Sequence, residues 1–172
     1  LEFKYSNYKM MIEDAREFTT TLQGEIFWDE TWDLFLKGGD CISDDELSVW
    51  ENSVQFDDAV NIQYTSGTTG FPKGVTLSHH NILNNGFFIG ERLHYTEKDR
   101  VCIPVPFYHC FGMVIGNLAC VTHGACMVIP NDGFEAKKTL EAVEIEKCTS
   151  LYGVPTMFIS MLGIPNFKTF NL

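Results

Sequence analysis

The chain has few basic residues and no long uninterrupted apolar run. Of its 172 residues, 12 are Lys or Arg and 23 are Asp or Glu, which gives a formal net charge of -11. Non-specific nucleic-acid binding needs clustered cations to neutralise phosphates, so this composition argues against a nucleic-acid partner. The longest apolar stretch, residues 111–121, has about half of the ~20 residues that a membrane-spanning helix requires. No transmembrane segment is therefore predicted.

The sequence also lacks the spacing of a metal or disulfide framework. Its six cysteines form no Cys-x-x-Cys pair, and five of them lie in apolar surroundings, so we expect buried, reduced thiols. The cysteines are Cys41, Cys102, Cys110, Cys120, Cys126 and Cys148. Four histidines show no metal-ligand spacing and are interpreted as surface or packing residues: His79, His80, His94 and His123. No metal site is predicted.

Recognisable targeting features are missing from the first residues. The opening Leu-Glu-Phe-Lys-Tyr contains neither an apolar signal core nor the Arg-rich, acid-poor character of a transit peptide. We expect the natural start of the protein to lie upstream, so these residues do not indicate the compartment.

Acidic residues are concentrated in the first third of the chain. Residues 1–60 hold 4 basic and 15 acidic residues, whereas residues 61–172 hold 8 of each. Residues 1–58 are predicted to form an acidic helical lead-in segment, and residues 59–172 part of an α/β domain. In the lead-in, Phe27, Trp28, Trp32 and Phe35 recur at helical spacing, which predicts an aromatic face docked on a neighbouring layer.

Apolar strands alternate with amphipathic segments after residue 58. Strands are predicted near residues 59–64, 75–77, 101–105, 125–129 and 150–152. Helices are predicted near residues 81–93, 111–122, 134–148 and 155–162. This alternation is typical of the α/β class, built from βαβ units around a largely parallel sheet.

Residues 64–74 carry the strongest functional signal. They read Tyr-Thr-Ser-Gly-Thr-Thr-Gly-Phe-Pro-Lys-Gly and lie between two predicted strands. The glycines Gly67, Gly70 and Gly74 permit positive φ and close backbone approach, and hydroxyl donors come from Thr65, Ser66, Thr68 and Thr69. Lys73 adds the positive charge that triphosphate oxygens require. The pattern predicts a phosphate-binding loop.

Two other interpretations of this loop agree less well with its residues. A hairpin turn needs two to five such residues, and this run is more than twice as long. A Walker A loop would have Gly immediately before Lys73 and Ser or Thr immediately after it, whereas Pro72 and Gly74 occupy those positions. The spacing therefore argues against a P-loop nucleoside triphosphatase.

At these residues the chain resembles the adenylate-forming (AMP-binding) superfamily, which includes acyl-CoA synthetases, luciferases and peptide-synthetase adenylation domains. Residues 64–74 match every fixed position of its signature, Tyr-Thr-Ser-Gly-Thr-Thr-Gly-x-Pro-Lys-Gly. Residues 104–112, which contain Tyr108 and His109, resemble its second core motif, and residues 152–156 resemble the strand-to-helix turn beyond. Among its members, the chain is most similar to medium-chain fatty acyl-CoA ligases of mitochondrial type.

The resemblance implies a two-step ligation. A fatty acid and ATP would form acyl-AMP and pyrophosphate, and the thiol of CoA would then displace AMP. Thr65 to Gly70 and Lys73 would hold the phosphates, with Mg²⁺ neutralising charge. His109 would orient the fatty-acid carboxylate, whereas from the residues alone a structural histidine at a strand end is the stronger interpretation. Phe107, Tyr108 and Phe111 would line a path for the acyl chain.

Parts of the family pattern have no match in these residues. No Tyr-Gly-x-Thr-Glu segment, which would stack on adenine and supply the magnesium glutamate, is found, nor a C-terminal lysine domain. We therefore expect an interior slice of an N-terminal domain that is inactive alone, from an intracellular and by resemblance mitochondrial enzyme. The alternative is a non-catalytic module that keeps the phosphate loop. The acyl chain length and the oligomeric state are left open.

Overall fold

The computed structural model describes the backbone of residues 2–3 and all atoms of residues 6–66 and 70–172. The chain divides into two compact units, Leu1–Val54 and Gln55–Leu172. Nowhere in the described part of the chain does a helix reach the length and apolarity that a membrane crossing requires.

Short helices make up most of the first unit. Its elements are β1 (Glu2–Phe3), β2 (Ser6–Asn7), α1 (Tyr8–Arg16), α2 (Trp32–Gly38), a 3-10 turn (Gly39–Cys41) and α3 (Asp44–Ser53). Local capping defines where two helices begin, because the side chains of Asn7 and Ser43 accept hydrogen bonds from the Met10 and Glu46 amides. These N-caps account for the positions of α1 and α3.

The aromatic face predicted for this unit is not covered within it. Trp28 and Trp32 stack with ring centroids 4.1 Å apart, and Phe35 lies 5.6 Å from Trp32. Trp28 is nonetheless 75% exposed, and no described residue of α1, α2 or α3 is buried. Within this unit the three rings pack only on one another, and their docking on a neighbouring layer stays a prediction.

Strands and helices alternate in the second unit. Its elements are β3 (Ala59–Thr65), β4 (Lys73–Ser78), α4 (His79–Leu93), β5 (Arg100–Cys102), a π-helix (Phe111–Leu118), α5 (Ala119–His123), β6 (Cys126–Val128), α6 (Ala136–Glu146), β7 (Ser150–Leu151), α7 (Pro155–Leu162) and a 3-10 turn (Phe167–Thr169). The predicted α/β class is confirmed. The helix predicted at 111–122 is instead a π-helix that continues into an α-helix.

A three-stranded parallel sheet forms the centre of this unit. The strand order is β6-β5-β7, with Val101 of β5 opposite Met127 and Ser150. Val101 and Cys102 are fully buried, as expected for a central parallel strand covered on both faces. A buried cluster surrounds β5 and consists of Tyr95, Val101, Ile103, Val105, Ala119, Cys120 and Ala125.

β3 and β4 do not join that sheet. They pair antiparallel as a separate hairpin, with Tyr64 opposite Gly74 and Thr65 opposite Lys73. The prediction that all strands belong to one largely parallel sheet is therefore wrong for these two. A parallel connection needs a dozen or more residues, and only the seven residues 66–72 join β3 to β4.

The hairpin leads directly into α4 through a capping box. Ser78 Oγ accepts from the Asn81 amide at 3.2 Å, and Asn81 Oδ1 accepts from the Ser78 amide at 3.0 Å. These bonds satisfy donors at the first turn of the helix and fix its start at His79, two residues earlier than predicted. α4 then packs against the π-helix and α5.

Candidate active site

The predicted phosphate-binding loop closes the β3–β4 hairpin. Thr65 ends β3 and Lys73 begins β4, and the two residues are paired across the ladder. The rejected hairpin interpretation therefore describes the backbone correctly, although the loop is longer than an ordinary turn. Ser66 and Gly70 are exposed at its ends. Three predicted ligands lie outside the described residues: Gly67, Thr68 and Thr69.

Gly70 and Gly74, the two glycines of this motif that the structure describes, differ in backbone conformation. Gly70 has a φ of 103°, a conformation that side-chain-bearing residues rarely adopt. Gly74 lies in β4 opposite Tyr64, and its φ is not positive. Gly70 therefore uses the positive φ that glycine permits, whereas Gly74 does not, because β4 begins two residues earlier than predicted and includes it.

Lys73 is well placed to meet an anion. Lys73 is exposed and occupies the first position of β4, beside the loop. Among residues 6–66 and 70–172, no carboxylate forms an ion pair with its ammonium group. The hairpin thus presents a cation and nearby hydroxyl groups to solvent, a donor set suited to phosphate oxygens.

A second candidate site lies where the order of the parallel strands reverses. The chain leaves β5 to form β6 on one side of it, and later returns to form β7 on the other side. The connections that follow β5 and β7 meet at this switch point, since the Phe111 and Tyr152 rings touch edge to face with centroids 5.7 Å apart. In open α/β sheets, ligands bind in the crevice outside the carboxyl ends of the strands at such a point.

His109 lies in the connection that follows β5, and it is exposed. Its amide donates to Pro106 O at 3.3 Å, and its carbonyl accepts from the Met113 amide at 3.0 Å. The imidazole Nδ1 accepts from the Phe111 amide at 3.1 Å. In the neutral ring the proton is therefore on Nε2, which can donate one hydrogen bond to a ligand.

A close backbone contact holds this connection against the start of the π-helix. A Cβ atom placed on buried Gly112 would lie 2.4 Å from Pro106 O, closer than atoms can approach. Only glycine lets the helix begin directly after His109 and return along the same segment. π-helices are rare and frequently lie at functional sites.

The predicted acyl-path residues have two different environments. Phe107 and Phe111 are half-buried and pack against the buried cluster around β5. Tyr108 is 80% exposed beside His109. In the described structure one of the three aromatic side chains therefore projects into solvent, and the other two support the connection from beneath.

Sequence analysis did not single out the hydroxyl cluster beneath the switch point. The Tyr95 hydroxyl lies 2.7 Å from Ser150 Oγ and donates to the Tyr152 hydroxyl at 3.1 Å. Tyr152 belongs to a run quoted for its family resemblance, which is the one signal that could have drawn attention to it. No sequence pattern connects Tyr95 with Ser150 or Tyr152, since Tyr95 lies 55 residues before Ser150.

The hairpin and the switch point are connected through α4. β4 runs directly into this helix, which packs against the π-helix that follows His109. No hydrogen bond or ion pair joins the Lys73 and His109 side chains within the part of the chain that the structure describes. The two candidate sites are thus separate groups of residues on one unit.

The two buried cysteines, Cys102 and Cys120, are poor nucleophiles. All six cysteines of the chain are free thiols. Burial raises the pKa of Cys102 to about 12 and that of Cys120 to about 11, which disfavours the reactive thiolate. The expectation of burial is wrong for Cys41 and Cys110, which are exposed.

Comparison with known proteins points to a single enzyme family. Residues 8–171 match the AMP-binding enzyme family. The medium-chain acyl-CoA ligase ACSF2, mitochondrial, of Danio rerio is 48% identical over 129 residues, covering 74% of this chain and 21% of the relative. The acyl-CoA ligase sidI of Aspergillus fumigatus is 41% identical over 161 residues, covering 92% of this chain and 27% of the relative.

A solved structure gives the same result for the fold. ATP-bound MatB from Rhodopseudomonas palustris superposes with a TM-score of 0.58 at 32% identity, over 64% of this chain and 22% of that one. The chain thus spans between a fifth and somewhat over a quarter of the length of the proteins it matches. From the family match over residues 8–171, together with these similarities, the chain belongs to the AMP-binding enzyme family.

Proposed function

We propose that this chain is part of a longer fatty acid–CoA ligase. In the first step a carboxylate oxygen attacks the α-phosphorus of ATP, and the bond to the β-phosphate breaks to release pyrophosphate. In the second step the sulfur of CoA attacks the acyl carbonyl carbon, and AMP leaves. The observation that carries the proposal is one unit presenting two exposed groups: Lys73 beside a glycine- and hydroxyl-rich loop, and His109 at the sheet switch point.

The hairpin loop is proposed to hold the departing pyrophosphate. Ladder pairing of Thr65 with Lys73 fixes the two ends of the loop. The backbone amides and hydroxyl groups of the loop are proposed to bind a common anion. Gly67, Thr68 and Thr69 are proposed to complete this set. Since nucleotidyl transfer is mostly a matter of positioning and charge stabilisation, a preorganised loop would contribute directly to its rate.

His109 is proposed to orient the carboxylate of the acid. Its Nδ1 is occupied by the Phe111 amide, so Nε2–H is the donor left for a substrate oxygen. A hydrogen bond to one carboxylate oxygen would direct the other toward the α-phosphorus. Tyr108, exposed beside His109, is proposed to contact the first carbons of the acyl chain, with Phe107 and Phe111 behind it.

The described residues hold no complete site for magnesium, which the resemblance implies for the longer protein and which stays a prediction. Mg²⁺ takes oxygen ligands, usually one or two carboxylates together with substrate phosphates. In residues 6–66 and 70–172, no group of three or more His, Cys, Asp or Glu side chains is arranged to hold a metal ion. The loop itself offers hydroxyl groups and a lysine, which suit phosphate. We therefore derive no step through the metal from this chain.

Fatty acids of medium length are the proposed substrate class, and mitochondria the proposed location. Both rest on the similarity to ACSF2 of Danio rerio, whose name describes it as a medium-chain acyl-CoA ligase and as mitochondrial. A mitochondrial address can be checked by imaging the tagged full-length protein in its own cells.

The direct test is acyl-CoA formation by the full-length protein from ATP, CoA and a medium-chain fatty acid. Release of AMP and pyrophosphate, with a thioester product, is expected. His109→Ala should weaken use of the fatty acid by ~1–2 orders of magnitude, the value of one contact to a charged group, while the KM for ATP changes far less.

His80→Ala is a matched control, because His80 is an exposed histidine in the first turn of α4. It should retain wild-type kinetics. A full-length protein that binds ATP but forms neither acyl-AMP nor acyl-CoA would support the non-catalytic alternative. A folded His109→Ala enzyme with wild-type fatty-acid kinetics would remove His109 from the site.

A further inference from the structure

The hydroxyl cluster beneath the switch point is more polar than its packing requires. Tyr95 is 7% exposed and belongs to the buried cluster around β5. Phenylalanine would fill the same volume without a polar atom to satisfy. Burying a hydroxyl is costly unless it is hydrogen-bonded, and here Tyr95, Ser150 and Tyr152 satisfy one another. Such a satisfied network fixes the orientation of its members.

Tyr95 is anchored firmly at one end of this network. It follows His94, which ends α4 in the left-handed conformation with a φ of 57°. The Tyr95 amide donates to Gly90 O at 3.0 Å, which ties its backbone to the last turn of α4. The position of the Tyr95 hydroxyl is thus set by α4.

Tyr152 connects Tyr95 with the switch point. Its amide donates to Cys102 O at 3.0 Å, so its backbone is held against β5. Its hydroxyl accepts from Tyr95, and its ring meets Phe111 at an interplanar angle of 74°. Burial raises the pKa of the Tyr152 phenol, which therefore remains a neutral hydrogen-bonding group throughout the physiological range.

Phe111 in turn connects to the imidazole. Its ring lies against Tyr152, and its amide donates to His109 Nδ1 at 3.1 Å. Packing that holds the Phe111 ring restricts the backbone of the same residue, whose amide makes the bond that fixes the orientation and tautomer of His109. The described contacts thus form a continuous path from Tyr95 through Tyr152 and Phe111 to His109.

We infer that Tyr95 and Tyr152 are positioning residues for His109, acting through the edge-to-face contact of Tyr152 with Phe111. The inference rests on the proposed function, in which His109 orients the fatty-acid carboxylate. Neither tyrosine needs to touch the substrate. Their hydroxyl bond holds the Tyr152 ring, which sets the position of the Phe111 amide.

The test uses Tyr152→Phe in the full-length protein, because this change removes one hydroxyl and keeps the ring. We expect the KM for the fatty acid to rise by about 3- to 10-fold, the value of one neutral hydrogen bond, with the KM for ATP within about twofold of wild type. Tyr95→Phe, which removes this bond and also the one to Ser150, should have at least as large an effect. Tyr8→Phe is the matched control, since Tyr8 lies on α1 in the other unit, and it should leave both constants unchanged.

A double-mutant comparison separates positioning from a merely structural role. In the His109→Ala background, Tyr152→Phe should have no further effect on the KM for the fatty acid, because the group it positions is gone. An undiminished effect in that background, or a wild-type KM in both tyrosine variants, would overturn the inference while leaving the proposed function intact. Failure of His109→Ala to change fatty-acid use would instead count against the proposed function.

A measurement on the ring itself does not depend on activity. With ¹⁵N-labelled histidine in the full-length protein, the wild-type ring nitrogens of His109 should give the chemical shifts of the Nε2–H tautomer. Tyr152→Phe and Tyr95→Phe should move these shifts toward a mixture of tautomers, whereas Tyr8→Phe should not. Identical His109 shifts in all four proteins would refute the positioning role even if no ligase activity were found.

Discussion

Replacing Gly112 by alanine tests whether the close contact beneath His109 is required. The added Cβ would lie 2.4 Å from Pro106 O and 2.7 Å from Pro106 C, both backbone atoms that cannot rotate away. Overpacking of this kind costs about 1–3 kcal/mol, whereas alanine is favoured over glycine in a helix interior by about 1 kcal/mol. Because the obstacle is backbone, the steric cost should dominate. We expect a net loss of about 1–2 kcal/mol.

Urea unfolding of the 172-residue chain measures this loss. A slope of about 2 kcal/mol per molar urea converts it to a fall in the midpoint of roughly 0.5–1 M. Gly133→Ala is the matched control, because a Cβ there meets nothing within 4 Å, and its stability should stay within about 0.5 kcal/mol of wild type. A Gly112→Ala chain as stable as Gly133→Ala would show that the contact does not constrain this segment.

Two further predictions concern the thiols and Asp99. Alkylation after denaturation without reductant should label all six cysteines, and unlabelled pairs would contradict this. In the native chain, Cys41 and Cys110 should react long before Cys102 and Cys120, because burial raises the pKa of these last two thiols. Equal reaction rates would contradict this difference. The hydrogen bond from Thr149 lowers the pKa of Asp99, so its stabilising contribution should be present above about pH 4 and lost as pH falls further. The stability difference between wild type and Asp99→Asn should therefore shrink between pH 7 and pH 2, and a constant difference would refute the assignment.

The elements of the second unit were predicted well because short apolar strands alternate there with longer amphipathic helices. Each predicted strand and helix there corresponds to an observed element, with ends that differ by a few residues. The pairing of β3 with β4 was missed because apolar runs alone do not distinguish parallel from antiparallel strands. The connection of residues 66–72 indicates antiparallel pairing, since it is too short for the crossover that parallel strands need.

The candidate site was partly predictable for a similar reason. Lys73 and the loop residues follow one another in the sequence, so the pattern of glycines and hydroxyl groups revealed them directly. His109 was found through a resemblance, because a single histidine after a strand carries no signal of its own. The bond from Tyr95 to Tyr152 joins residues 57 positions apart and depends on the sheet order, which local patterns do not specify.

Pyrophosphate exchange in the full-length protein tests the central claim most directly. Exchange of labelled pyrophosphate into ATP should require a fatty acid but not CoA, because it reports acyl-AMP formation alone. Lys73→Ala should reduce it roughly 10- to 150-fold, which corresponds to about 1.5–3 kcal/mol for one charge-assisted contact, whereas Lys137→Ala on the exposed face of α6 should not. Exchange that is unchanged by Lys73→Ala, or that does not depend on the fatty acid, would contradict the role proposed for the loop.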